Sequence, residues 1–500
     1  MVDAGEYFTI NRARQYGKTT TLNALRKALA SDYEMVGLDF QRLGSSSFRT
    51  EESFCRSFVR QILNKVGYGL ISIPEAIVDQ MTYFVSSQNV DDKLEDLMRI
   101  IQKWCGGSKL PVVLMIDEVD YATNFQVFLD FLAQLRAGYI SRDSEGIPTF
   151  QSVIFAGVTD VRCLSGRIRG EDQYRINSPW NIAADFDIDM SLSEAGIKGM
   201  LDEYEADYQT GMDTGSIAKL IREYTNGYPF LVSRICQLID KQVVKNTGVA
   251  VAWTHAGLYE AIKLLLFDDN TLFYLLMSNL KNYPDLKDAI RSILMEGKWL
   301  AYNEYQDGVA LMQMYGLIVD DHGMVRVANR VFEMRLYNLF LSDEELKGNV
   351  FCREGDLARN AFVQDGRLDM RLVLEGFTDT YEKVFKPLED RFKEKDGREL
   401  FLLYLRPIII EMGNYYIESQ TRDQTCMDVI IDYLGQQYIV ELKIWHGSGY
   451  NAEGEKQISD YLDYFGLTTG YMLSFNFNKE KKKGLQQVYI GDKLLYEFIL

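Results

Sequence analysis

Residues 6–25 read EYFTINRARQYGKTTTLNAL. A short apolar strand, a loop and then Gly17-Lys18-Thr19 at the head of a predicted helix follow the order that a phosphate-binding loop requires. Such a loop turns its backbone N–H groups inward, and the helix offers the anion the positive end of its dipole. Lys18 is placed to reach the β- and γ-phosphates and Thr19 to put its hydroxyl on Mg²⁺, with Thr20 beside it at the helix start. The pattern G-x-x-x-x-G-K-[ST] is broken at its first position, where Arg12 stands. Arg12 lies at the loop entrance, where its side chain can point to solvent or toward a phosphate. Arg12, Gly17, Lys18, Thr19 and Thr20 are therefore the nucleotide-binding candidates of this stretch.

A second stretch, PVVLMIDEVD at 111–120, supplies what the loop lacks. Five consecutive apolar residues without alternation suit a central parallel strand buried on both faces. Two acids at the end of such a strand are costly to desolvate unless they face a metal or a cation. Asp117 is expected to hold Mg²⁺ through water, and Glu118 to orient or deprotonate an attacking water. The two stretches together point to an ATP-hydrolysing site. A further buried strand over 152–157 leads to Thr159, a candidate for contact with the γ-phosphate or water. The loop beyond carries Arg162, Arg167, Arg169 and Arg175, any of which can complete a neighbouring subunit's site or form a solvated face.

Composition narrows the class. The 500 residues allow two to four domains, and a 47% hydrophobic content is ample for their cores. No apolar run approaches the ~20 residues of a membrane span, so no membrane association is expected. Six scattered cysteines without a C-x-x-C pair suit a reduced, cytoplasmic setting, and three unclustered histidines argue against a zinc site. A net charge of −18 excludes an indiscriminate nucleic-acid coat; any such contact must be local.

From Ser191 the pattern turns helical, with Ser191 and Glu194 read as a capping box and helices expected around 192–209 and 214–247. The segment YTNGYPF at 224–230 holds a Gly227-x-Pro229 turn. That turn, after a phosphate-binding loop and a D-E strand, resembles the AAA-like and STAND-type ATPases of bacteria and archaea. The resemblance implies that Gly227 and Pro229 lie near the nucleotide phosphates and report ADP against ATP. It also implies possible homo-oligomerisation through the ATPase domain. Any protein would also break a helix at Gly-x-Pro. Residues 256–345 look like a winged helix: helices near 270–280, 285–296 and 306–315, then a hairpin over 317–327 turning at Asp321-His-Gly323. The third helix, QDGVALMQMY, carries no lysine or arginine and has little to offer a phosphate backbone.

The last chemically loaded stretch is MDVIIDY at 427–433 followed by YIVELKI at 438–444, a predicted hairpin. Alternation puts Glu441 and Lys443 on one face, where Asp428 of the adjacent strand can meet them. Asp428 and Glu441 would hold Mg²⁺ while Lys443 acts on the hydrolytic water. The pattern Asp…Glu-x-Lys resembles the PD-(D/E)XK nuclease superfamily, here without the leading proline. The resemblance extends to Glu399 on an upstream helix and to Gln457 and Tyr461, one turn apart on a downstream helix. It implies a nucleic-acid partner, DNA foremost.

The expected fold class is α/β: a P-loop NTPase parallel sheet with a helical lid, a winged helix and a C-terminal nuclease-like domain. The expected boundaries are 1–190 for the ATPase core, 191–255 for the lid, 256–345 for the winged helix, 346–394 for a connector and 395–500 for the nuclease-like domain. The expected function is an ATPase whose nucleotide state controls a Mg²⁺-dependent nuclease. The alternative is a nucleotide-dependent signalling scaffold whose nuclease-like domain is inactive.

Overall fold

The computed structural model describes residues 1–500 except 87–92, 160, 162–178, 297, 347, 365, 385–393, 410–412, 420–426, 435, 445–457, 460–461, 464–465 and 479–482. Of residues 296, 344–346, 394–395, 414, 416–419 and 427–428 it describes the backbone only. The chain divides into two compact units, Met1–Met190 with Gln313–Gly316, and Ser191–Met312 with Leu317–Leu500.

The first unit is built on four strands: β1 (Phe8–Asn11), β2 (Glu34–Asp39), β3 (Val112–Asp117) and β4 (Ser152–Gly157). They run parallel in the order β1-β4-β3-β2. Ala184 adds a parallel bridge to Phe8 beyond β1. The unbroken apolar runs of β3 and β4 are buried almost end to end, as central strands covered on both faces must be. One face packs an aromatic-rich core of Phe40, Phe54, Phe58, Trp104, Phe128 and Phe131; the other packs a smaller one of Ile10, Leu22, Met115 and Ile154.

Each parallel pair needs a crossover, and helices supply them. Helix α1 (Lys18–Leu29) follows β1. After β2 come three helices, α2 (Glu51–Gly67), α3 (Glu75–Ser86) and α4 (Leu94–Gly107). The Thr50 hydroxyl accepts the Ser53 N–H and starts α2. Helix α5 (Gln126–Glu145) then leads to β4. Because all four strands point the same way, the loops after β1, β3 and β4 open on one edge, where ligands of open α/β sheets bind.

The second unit begins with α6 (Glu194–Tyr208), α7 (Thr214–Thr225) and α8 (Pro229–Leu238). The expected capping box of Ser191 and Glu194 is not formed. Ser193 caps instead, its hydroxyl accepting the Gly196 N–H at 3.0 Å. Glu194 is already the first helical residue and cannot occupy the third position that a box requires. Helices Thr271–Asn282, Pro284–Glu296 and Asp307–Met314 precede an antiparallel hairpin of β5 (Ile318–Asp321) and β6 (Met324–Val327). His322 and Gly323 turn it with φ of 53° and 85°, the paired positive values of a tight hairpin turn.

After a two-residue pair, β7 (Val363–Gln364) with β8 (Arg367–Leu368), comes a mixed six-stranded sheet. Its strands are β9 (Gly413–Ser419), β10 (Met427–Tyr433), β11 (Gln436–Ile444), β12 (Thr469–Phe475), β13 (Gly484–Ile490) and β14 (Lys493–Ile499). They lie in the order β13-β14-β12-β11-β10-β9, with β12 parallel to β11 and β14. A buried hydrogen bond joins this sheet to the helices before it: the Tyr224 hydroxyl of α7 donates to Asp432 of β10 at 2.7 Å. Among the described residues no helix is long and apolar enough to cross a membrane.

Asp432 carries a stability consequence. Its burial pushes the carboxyl above the usual range, partly opposed by the hydrogen bonds of Tyr224 and Gln437. A raised folded-state pKa favours the protonated form, so its stabilising contribution is present below the unfolded value of about 3.9 and lost as pH rises through the folded one. Asp432→Asn keeps an acceptor for Tyr224 without the buried charge. We expect the variant to gain melting temperature over wild type progressively above pH 4. A difference independent of pH, read by thermal melting across a pH series, would show that Asp432 does not titrate on unfolding.

Candidate functional site

The loop after β1 is shaped by two left-handed residues, Gln15 at φ 57° and Gly17 at φ 84°. Gly17 caps α1 from that conformation, which a side chain would strain. Lys18 is buried at 6% exposure and donates to the carbonyls of Arg12 and Ala13, each at 3.0 Å. Burial lowers its pKa, against the opposing pull of Glu118, Asp120 and Asp117. The Thr19 hydroxyl donates to Asp117 at 2.5 Å, so the two expected metal ligands meet across 98 residues of sequence. A hydroxyl and one carboxylate are a protein share that suits Mg²⁺, which takes its remaining ligands from phosphates and water. Thr20 is an exposed residue of the first turn of α1.

Arg12 is turned away from the loop. Its guanidinium donates to the carbonyls of Asn11, Phe186 and Ile188, at 2.8, 3.3 and 2.8 Å. An arginine is tolerated at a position meant for glycine because its own backbone is unstrained and its side chain has acceptors elsewhere.

At the end of β3 the Asp117 carboxylate also accepts the Glu118 N–H, at 3.0 Å. Glu118 adopts φ 53°, a left-handed conformation uncommon outside glycine and frequent at functional sites. Its pKa is raised by burial, which Lys18 opposes and the neighbouring acids reinforce. Thr159 follows β4, and among the described residues its hydroxyl donates to the Met314 sulfur at 3.9 Å. Arg162, Arg167, Arg169 and Arg175 lie outside the described residues.

The turn at Gly227 has a structural reason of its own. Its carbonyl accepts the Leu192 N–H at 2.8 Å, and a Cβ there would fall 2.2 Å from the Leu192 carbonyl oxygen. Only glycine fits at φ 70° with the backbones so close. Pro229 occupies the first turn of α8, where its missing N–H is not needed.

In the C-terminal sheet, Glu441 and Lys443 are buried at 0% and 2% exposure and form an ion pair at 3.4 Å on one face. The β10–β11 pairing, continued one step past Val429–Val440, sets the Asp428 backbone opposite Glu441. The Asp428 side chain, Gln457 and Tyr461 lie outside the described residues. Glu399 pairs with Arg291 at 2.8 Å. Two further buried polar residues were not foreseen: Ser474 of β12, in register with Lys443, donates to Glu497 of β14 at 2.8 Å. Their sequence neighbourhoods carry no motif; only the strand order β11-β12-β14 brings them to the face of Glu441 and Lys443. Asp120, equally unforeseen, was at least visible as the last acid of DEVD at 117–120. Among the described residues, no three His, Cys, Asp or Glu side chains gather as a metal cluster.

Solved structures similar to the chain include the Walker-type ATPase PABY2304 of Pyrococcus abyssi, 14% identical, covering 66% of this chain and 90% of that one with a TM-score of 0.43. The ORC2 protein of Aeropyrum pernix, solved as ADPNP-ADP complexes, is 13% identical and covers 68% of this chain and 89% of its own at a TM-score of 0.34. No curated protein sequence matches the chain. The AAA-like domain family matches residues 1–343, more than half of the chain, beginning before the phosphate-binding loop and ending beyond the β5–β6 hairpin. By that match the chain belongs to the AAA-like domain family.

Proposed function

We propose that the first unit binds and hydrolyses ATP, and that its nucleotide state controls a Mg²⁺-dependent nuclease in the C-terminal sheet. The hydrogen bond of Thr19 to Asp117 carries the first half of this reading. It supports a shared metal position beside Lys18, with Glu118 next along the strand to hold the attacking water. Bound Mg²⁺ would neutralise charge on the transferring phosphoryl group. Lys18 then exchanges its loop carbonyls for phosphate oxygens, and the rise in the Glu118 pKa caused by burial makes it a better base toward the attacking water.

The second half rests on burial. A Glu-x-Lys pair in an exposed hairpin is ordinary, but a buried one is expensive to keep and contributes little stability. The buried Glu441 and Lys443, with Asp428 on the neighbouring strand, support phosphodiester hydrolysis on a nucleic acid, DNA foremost. The winged-helix reading of 256–345, a role for Gly227 and Pro229 in nucleotide sensing, and assembly through the ATPase unit belong to the same proposal. One observation favours the scaffold instead: Glu399, expected to assist at the site, is engaged by Arg291.

Lys18→Ala should reduce ATP turnover by ~100-fold or more, because it deletes the charge that would hold the β/γ-phosphates. Glu118→Gln should bind ATP and not turn it over, and the acid limb of the wild-type kcat–pH profile should lie above the ordinary carboxylate range. Turnover by Glu118→Gln at the wild-type rate would remove the acid from the mechanism. Arg12→Gly should leave ATP affinity within about tenfold, about 1.4 kcal/mol; complete loss in a binding titration would make Arg12 a principal ligand. Asp428→Ala, Glu441→Ala and Lys443→Ala should each abolish Mg²⁺-dependent cleavage, with Lys443→Ala still showing a metal-dependent melting shift. A wild-type protein that cuts no nucleic acid of any shape, with or without ATP, would favour the scaffold.

A further inference from the structure

Asp120 closes the short turn after the acid strand, three residues beyond Asp117. Its two carboxylate oxygens accept consecutive backbone N–H groups from the segment that leaves β4: Val158 at 2.7 Å and Thr159 at 2.6 Å. Charge-assisted bonds of this length are about twice as strong as neutral ones, and a two-pronged acceptor fixes direction as well as distance. The approach is close. A Cβ on Gly157, the last residue of β4, would fall 2.7 Å from the Val119 side chain and 3.2 Å from Asp120. Gly157 in turn accepts the Arg12 N–H at 3.2 Å, so the same point also anchors the entrance of the phosphate-binding loop.

We propose that Asp120 is a positioning residue for ATP hydrolysis: it fixes the backbone of Thr159 relative to Glu118. The proposal rests on the reading of Thr159 as a contact to the γ-phosphate or water. The side chain of Thr159 is held quite differently from its backbone. Among the described residues its hydroxyl donates to a thioether sulfur, a weak acceptor that a phosphate oxygen would outcompete. A rigid main chain with a re-aimable hydroxyl is the arrangement that a phosphate-contacting residue needs, and the carboxylate supplies the rigid part.

The test is a double-mutant cycle on the full chain, reading kcat and KM for ATP. Asp120→Asn presents an amide N–H₂ to one of the two backbone donors and so breaks one prong. We expect its kcat to fall roughly 10–100-fold with KM changed by less than about threefold. Thr159→Val should lower kcat in the wild-type background and add almost nothing in the Asp120→Asn background, because the hydroxyl is already misplaced there. Additive losses, or an unchanged kcat for Asp120→Asn, overturn the proposal and leave the reading of Thr159 intact. An unchanged kcat for Thr159→Val alone overturns both. If Asp120→Asn does not fold, Gly157→Ala asks the same question from the other side, since its methyl pushes against Val119 and Asp120. A split of kcat from KM in that variant supports the proposal, and kinetics like those of wild type overturn it.

Discussion

A parallel sheet covered by helices on both faces has no room for charge along its strands, so charge can appear only where strands end. In the first unit that constraint gathers Lys18, Asp117, Glu118 and Asp120 at one edge, from segments separated by about a hundred residues of sequence. Once gathered, most are held by the segments around them: Asp117 by Thr19, Lys18 by its loop carbonyls, Asp120 by the backbone that leaves β4. The aromatic core beneath, with Phe40, Phe54, Phe128 and Phe131 in edge-to-face contact, gives the strand ends a fixed base.

What was legible in the sequence was local. The phosphate-binding loop, the acid strand and both hairpins each announce themselves within about ten consecutive residues, through apolar runs and turn residues. The partners that arrive by long-range pairing did not. Nothing around Ser474 or Glu497 marks them, because their meaning comes from three strands being adjacent. The orientation of Arg12 was open for a similar reason: two of the three carbonyls it donates to belong to residues 186 and 188, far along the chain. The cap of α6 was misread by two residues. Two serines of equal capping propensity flank Leu192, and the helix begins one residue after the second, which leaves the first out of reach.

The two candidate sites differ in how they treat charge. At the edge of the first sheet the acids are only half-buried and keep contact with water. In the C-terminal sheet, Glu441, Lys443 and Glu497 are buried almost completely. Replacing a buried ion pair by apolar residues is often neutral or stabilising, so stability alone does not account for these charges.

The Tyr224–Asp432 bond has a consequence for descent as well as for structure. The family match ends at residue 343, yet the second compact unit runs from Ser191 to Leu500 without a break there. Asp432 beyond that boundary meets Tyr224 before it, as Arg398 meets the Met295 carbonyl at 2.9 Å. The edge of the inherited module therefore falls inside a folding unit. A chain cut at that edge would expose buried polar groups on the side it keeps, and a C-terminal sheet exchanged for an unrelated one would leave Tyr224 facing no carboxylate. A substitution at Tyr224 of α7 or at Asp432 of β10 breaks the same buried hydrogen bond, which spans 208 residues of sequence.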